Sequence, residues 1–176
     1  MSNKKNNIVL VGFMGTGKSV VGRRLAKILK REFIDTDKII EDRAGKTISD
    51  IFADDGEIYF RDLEAEVIRD ISGKENSVII TGGGAVLRDE NINNLKKNGI
   101  IFCLKALPEI IYNRVRNDIK RPLLQVENPL EKIKEMLEQR KKYYDKADYI
   151  IDTSEMTADE VVKEIRKYFL DKNLKV

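Results

Sequence analysis

The chain has 176 residues, with 33 lysines and arginines against 30 aspartates and glutamates, a single cysteine, and neither histidine nor tryptophan. That length suits one domain with a core of its own, and 41% hydrophobic with 36% charged residues describes a globular chain with a well solvated surface. Lacking histidine, it is excluded from Ser-His-Asp hydrolysis, imidazole-relayed proton transfer and the commonest transition-metal ligation. Cys103 alone makes neither an internal disulfide nor a zinc cluster. A net charge of +3 is too small to argue for nucleic acid. No apolar stretch is long enough for a membrane span or a secretory signal, so a cytoplasmic chain with no nucleic-acid or membrane partner is expected.

Taken in order, short β-branched runs alternate with amphipathic stretches. Ile8–Val11 reads as a buried strand ending in glycine, and residues 18–30 as a helix with Val21, Leu25, Ile28 and Leu29 on one face. Residues 32–35 form a second strand. Helical patterns follow over 37–44 and from about 49 to 72, with capping residues at 47–50. A third strand at 78–81 runs directly into Gly82-Gly83-Gly84; a helix near 89–98 and a fourth strand at 100–104 come next, the latter holding Cys103 as a small buried hydrophobe. A helix near 108–117 precedes a basic loop at 118–128. Pro129 opens a helix to about 144, a fifth strand spans 149–152, and a helix over 158–172 ends the pattern. Five apolar strands separated by helices predict an α/β three-layer sandwich around a five-stranded parallel sheet. The helical insert between the second and third strands is expected above the strand ends, where open α/β sheets bind ligands.

Gly12-Phe13-Met14-Gly15-Thr16-Gly17-Lys18-Ser19 matches G-x-x-x-x-G-K-[ST] in full, between a strand and a helix. Average composition puts a chance match in a chain of this length at roughly half a percent. Glycines permit a tight loop whose N–H groups converge on phosphate oxygens at the positive end of the helix. Lys18 would reach the β- and γ-phosphates and Ser19 would join a Mg²⁺ shell. Nucleoside triphosphate binding is therefore expected. The absence of an Asn-Lys-x-Asp guanine reader favours ATP.

The acceptor side is less decided by spacing. Asp35 and Asp37 lie two apart at a strand end, so they can face one side together, or form an Asx turn with a helix cap; spacing favours neither. Arg61 and Glu64 are helix neighbours. Either Glu64 fixes an Arg61 fork that binds a substrate carboxylate, or the two make an ordinary surface ion pair. Three successive glycines after a strand suggest close approach of backbone to a ligand. Arg121-Pro122-Leu123-Leu124 is either a closing lid with a charge-stabilising arginine or a solvated loop.

Together these pieces resemble the shikimate kinase family, of the nucleoside monophosphate kinase-like P-loop NTPase fold. The carriers are GFMGTGKS at 12–19, Val21-Gly22-Arg23, Asp35-Thr36-Asp37, Phe60-Arg61 with Glu64, Gly82-Gly83-Gly84, Arg121-Pro122-Leu123-Leu124, and Arg140 upstream of Tyr144 and Ala147. They occur in order and span residues 8 to about 153. The resemblance implies transfer of the ATP γ-phosphate to the 3-hydroxyl of shikimate, a step toward the aromatic amino acids. One kinase domain over 1–176 is expected, with an acceptor-binding insert at about 37–72 and a lid at about 118–128, and a monomer is expected. Lys18, Asp37 and Arg121 would be catalytic. Gly15, Thr16, Gly17, Lys18, Ser19, Val20, Arg114 and Arg121 would hold the nucleotide, with Arg114 stacked on adenine and the loop after Thr153 as the opposite wall. Asp37, Arg61, Gly82, Gly83, Gly84 and Arg140 would hold shikimate, and Ser19 with Asp35 would hold Mg²⁺. Val20 departs from the family, where threonine is frequent and can contact the α-phosphate; the loss is worth about 1 kcal/mol. Two competing readings are a kinase of gluconate or a nucleotide on the same scaffold, and a nucleotide-dependent regulator. The conjunction of motifs argues against the first, and the presence of Lys18, Asp37 and Arg121 against the second.

Overall fold

In the computed structural model, which describes residues 5–118 and 125–174, five short apolar runs pair into one sheet. The strands are β1 (Asn7–Val11), β2 (Glu32–Asp35), β3 (Ser77–Ile80), β4 (Gly99–Lys105) and β5 (Tyr149–Asp152). Their order is β2-β3-β1-β4-β5, and every pairing is parallel. Parallel strands require crossovers, here helices, which bury both faces and explain why the strands read as unbroken apolar runs. Alternate residues sort between two cores. Val9, Val11, Ile79, Ile101 and Cys103 pack beneath α4 (Gly56–Ile71), α5 (Asp89–Asn98), α6 (Pro108–Val115) and α7 (Pro129–Tyr144). Ile8, Leu10, Val78, Ile80, Phe102 and Leu104 pack against α1 (Lys18–Leu29) and α8 (Ala158–Leu174).

On α1 the buried face is Val21, Gly22, Leu25 and Ala26, whereas Ile28, expected on it, is 49% exposed. The contact is centred on the small residues: a Cβ on Gly22 would lie 2.7 Å from Ile80 Cγ2. That close approach turns Ile28 off the sheet.

The insert holds three helices rather than two: α2 (Thr36–Ala44), α3 (Ile48–Asp54) and α4. The expected continuous helix from 49 to 72 breaks at Gly56, whose φ of +85° a regular helix cannot contain. Ile40, Ile51, Phe60 and Val67 give the insert a small core of its own. Its residues Asp37, Arg61 and Glu64 meet the glycine turn that follows β3. Among the described residues, no helix is long and apolar enough to cross a membrane.

Candidate active site

The phosphate loop follows β1 and leads into α1. Gly12, Gly15 and Gly17 adopt φ of +140°, +73° and +99°, conformations that side-chain-bearing residues rarely reach. At Gly12 an added Cβ would also run into the Leu104 carbonyl. Lys18 folds back over the loop, its Nζ donating to the carbonyls of Gly12 at 2.7 Å and Phe13 at 2.9 Å. The Thr16 hydroxyl donates to Phe13 O at 2.8 Å. With these carbonyls held, the loop is braced from within.

Gly15, Gly17, Lys18, Ser19, Val20, Asp35, Asp37, Gly82 and Gly83 line one cleft of about 240 Å³, with Met14, Ile80 and Thr81. Residues expected from three separate strand ends thus meet. Thr16 is buried behind the loop.

Both readings of the Asp35–Asp37 pair hold at once. Asp35 is the N-cap of α2, its Oδ1 accepting the Asp37 N–H at 3.1 Å, and both residues still face the cleft. Asp37 Oδ1 is buried with no hydrogen-bond partner. Burial, then the charge of Asp35, pushes the Asp37 carboxyl up to about 6, against a weaker pull from Lys18. A poised carboxylate with a free lone pair suits a substrate hydroxyl.

The Arg61–Glu64 pair is not a surface pair. Glu64 is 0% exposed, and its Oε2 accepts from Arg61 Nη1 at 2.7 Å. Burial raises the Glu64 carboxyl while Arg61 pulls it back down. One fork of Arg61 is thereby fixed, and its guanidinium also lies 5.0 Å from the Phe60 ring centroid.

The three glycines make room for these side chains. A Cβ on Gly82 would lie 2.8 Å from Asp37 Oδ1 and 3.3 Å from Glu64 Oε1; one on Gly84 would lie 2.6 Å from Arg61 Cζ. Gly83 lies where the phosphate loop meets α7: a Cβ there would be 3.5 Å from Gly12 O and 3.6 Å from Arg140 Nη1. Arg140 sits 5.7 Å from the centroid of Phe13. Arg61 and Arg140 therefore both reach the glycine turn, one at Gly84 and the other at Gly83.

Three features escape sequence reading. The buried Tyr144 hydroxyl donates to Gly83 O at 2.8 Å, tying α7 to the turn. Asn91 Nδ2 donates to Ala85 O at 2.9 Å, closing the short 3₁₀ turn at Ala85–Leu87 that follows the glycines. Arg114, expected on the nucleotide side, donates to Gly15 O at 3.1 Å and to Thr153 O at 2.9 Å. Tyr144 has a signal in its place within the Arg140–Ala147 motif and Arg114 in its expected nucleotide role, but neither of these contacts is legible from them, and Asn91 has no signal. Arg121 and most of the expected lid lie outside the described residues. Cys103 is buried, its thiol pushed up to about 12 by burial, and is inert as a nucleophile.

Among the described residues, no group of three or more His, Cys, Asp or Glu side chains converges on a point. Ser19 and Asp35 instead both line the cleft that holds the phosphate loop. One hydroxyl and one carboxylate fit Mg²⁺, which keeps waters and shares its shell with substrate phosphates.

The family model described as shikimate kinase matches residues 14–169. The shikimate kinase of Thermodesulfovibrio yellowstonii is 53% identical over 163 residues, covering 93% of this chain and 94% of that one. A shikimate kinase from Acinetobacter baumannii, solved in complex with shikimate, superposes with a TM-score of 0.91 at 40% identity, over 98% of this chain and 97% of the other. A gluconokinase from Sinorhizobium meliloti superposes with a TM-score of 0.59 at 15% identity, a likeness of fold alone.

Proposed function

The chain belongs to the shikimate kinase family, and we propose from its site how it transfers the γ-phosphate of ATP to the 3-hydroxyl of shikimate. The supporting observation is the single cleft in which the phosphate loop faces Asp37 and the glycine turn. Triphosphate oxygens would occupy the loop N–H groups at the start of α1, and Lys18 would exchange part of its hold on Gly12 O and Phe13 O for the β- and γ-phosphates. Arg61, held by Glu64, and Arg140, beside Gly83, would grip the acceptor carboxylate. Asp37 Oδ1 would accept a hydrogen bond from the attacking hydroxyl and orient its lone pair toward the γ-phosphorus.

As the hydroxyl oxygen bonds to phosphorus, the bond to the bridging β–γ oxygen breaks, and the hydroxyl proton leaves toward Asp37. A loose transition state asks for positioning and charge neutralisation more than for a strong base, which a carboxylate near 6 satisfies. Ser19 and Asp35 would hold Mg²⁺, which would supply positive charge against the charge developing on the phosphates. Arg121 would add a cation from the lid. Every side chain invoked comes from one chain, so the reading needs no second copy.

The test is ADP release from ATP and Mg²⁺ in the presence of shikimate, gluconate, a nucleoside monophosphate or no acceptor. Release should depend on shikimate and yield shikimate 3-phosphate. Preference for another acceptor would overturn the assignment.

A further inference from the structure

We propose that Thr153 is a positioning residue that sets the phosphate loop from behind, so that the short segment after β5 helps determine nucleotide affinity. Thr153 immediately follows β5 and is 3% exposed. Its N–H donates to Lys105 O at 2.8 Å, which anchors it to the end of β4. Its hydroxyl lies 3.1 Å from Thr16 O and 3.1 Å from Lys105 O. A hydroxyl carries one proton, and Lys105 O already receives the backbone N–H, so Thr16 O is the carbonyl that depends on the hydroxyl. The hydroxyl oxygen accepts from Arg114 Nη1 at 3.3 Å, and the same nitrogen donates to Gly15 O at 3.1 Å.

Two consecutive peptide carbonyls of the loop, those of Gly15 and Thr16, are thus capped from outside the cleft. In a trans peptide the N–H points opposite to the C=O. Capping these carbonyls fixes the N–H groups of Thr16 and Gly17 in the opposite sense, toward the side on which Gly15 and Gly17 line the cleft. A capped carbonyl also polarises its peptide and strengthens the N–H as a donor. Glycine at 15 and 17 allows peptide planes to turn easily, so the loop needs an outside restraint to present donors before the anion arrives. Thr153 itself is not among the residues that line the cleft.

The proposal rests on the nucleotide reading of the loop, and its test separates the two. ADP binding is measured by calorimetry without acceptor, and steady-state KM values are measured for ATP and shikimate, in the wild type, Thr153→Val, Thr153→Ala and Thr153→Ser. Loss of the hydroxyl in Val and Ala should weaken ADP binding and raise the ATP KM about tenfold. The shikimate KM should stay within about twofold, and Ser should restore ADP affinity to within about threefold of wild type. Unchanged ADP affinity in a folded Val or Ala variant overturns the proposal, as does an equal rise in both KM values. If Val and Ala both fail to fold while Ser folds, the hydroxyl serves the fold rather than the loop, and the proposal fails. Wild-type protein that binds no ADP would instead refute the nucleotide reading of the loop, and the proposal with it.

Discussion

Asp37→Asn should make the protein more stable and nearly inactive, because the same burial that readies this carboxylate opposes its charge. Its carboxyl moves from an ordinary 3.8 up to about 6 on folding. Each pKa unit is worth about 1.4 kcal/mol, so the ionised group costs the folded state at most about 3 kcal/mol. Asp37 is partly open to the cleft, and water screening reduces this to about 1–2 kcal/mol. The sign follows from proton counts: between pH 4 and 6 the folded chain keeps this proton and the unfolded chain has released it, so stability falls as pH rises. The penalty is absent below about pH 3.8, grows through the window and is complete above about 6. Urea unfolding of both proteins from pH 4 to 8 should show the variant's advantage growing to that plateau, with a Tm gain of about 3–8 °C at pH 7.5. Asparagine cannot take the hydroxyl proton, so turnover should fall by about 100-fold or more, and the wild-type kcat/KM should lose activity on the acid side of about pH 6. A variant no more stable than wild type, or an advantage independent of pH, would refute the electrostatic reasoning.

The limits of sequence reading follow from the same geometry. The bounds of β2, α5, α7 and β5 are those expected, because each has a local marker: a run of apolar residues, Pro129 at a helix start, or a glycine at an end. The phosphate-loop motif is equally local, since its signature residues all lie within eight positions. Glu64 is different. Spacing of three from Arg61 describes a surface pair and a buried one alike, and it is tertiary packing, with Gly82 close against it, that leaves Glu64 0% exposed. The glycines after β3 read as room for a ligand, whereas much of that room is filled by Asp37, Glu64 and Arg61. Arg114 and Thr153 meet the phosphate loop across 99 and 137 positions of sequence. No periodicity records such contacts.

Gly84→Ala should raise the shikimate KM at least tenfold with the ATP KM within about threefold. The backbone at φ −96° accepts alanine, but the new methyl would meet the Arg61 guanidinium, with Cζ at 2.6 Å, and displace the fork from its place. Tyr144→Phe removes the donor to Gly83 O at a cost of about 1 kcal/mol, and steady-state kinetics should show a several-fold rise in shikimate KM with little change in kcat. Arg61→Ala should do two separable things. It removes a cation from the acceptor site, lowering shikimate affinity by calorimetry, and it strips the buried Glu64 of its 2.7 Å partner. An uncompensated buried carboxylate costs about 3–5 kcal/mol unless it takes up a proton. Without Arg61, burial and the charge of Asp37 raise the Glu64 carboxyl further, so the variant's stability should fall as pH rises through that new value. Glu64→Gln in the Arg61→Ala background should restore stability and flatten its pH dependence, while shikimate affinity stays lost. Recovery of both together would mean that Arg61 acts only by holding the fold, and recovery of neither would mean that the Glu64 charge is not what destabilises the single variant.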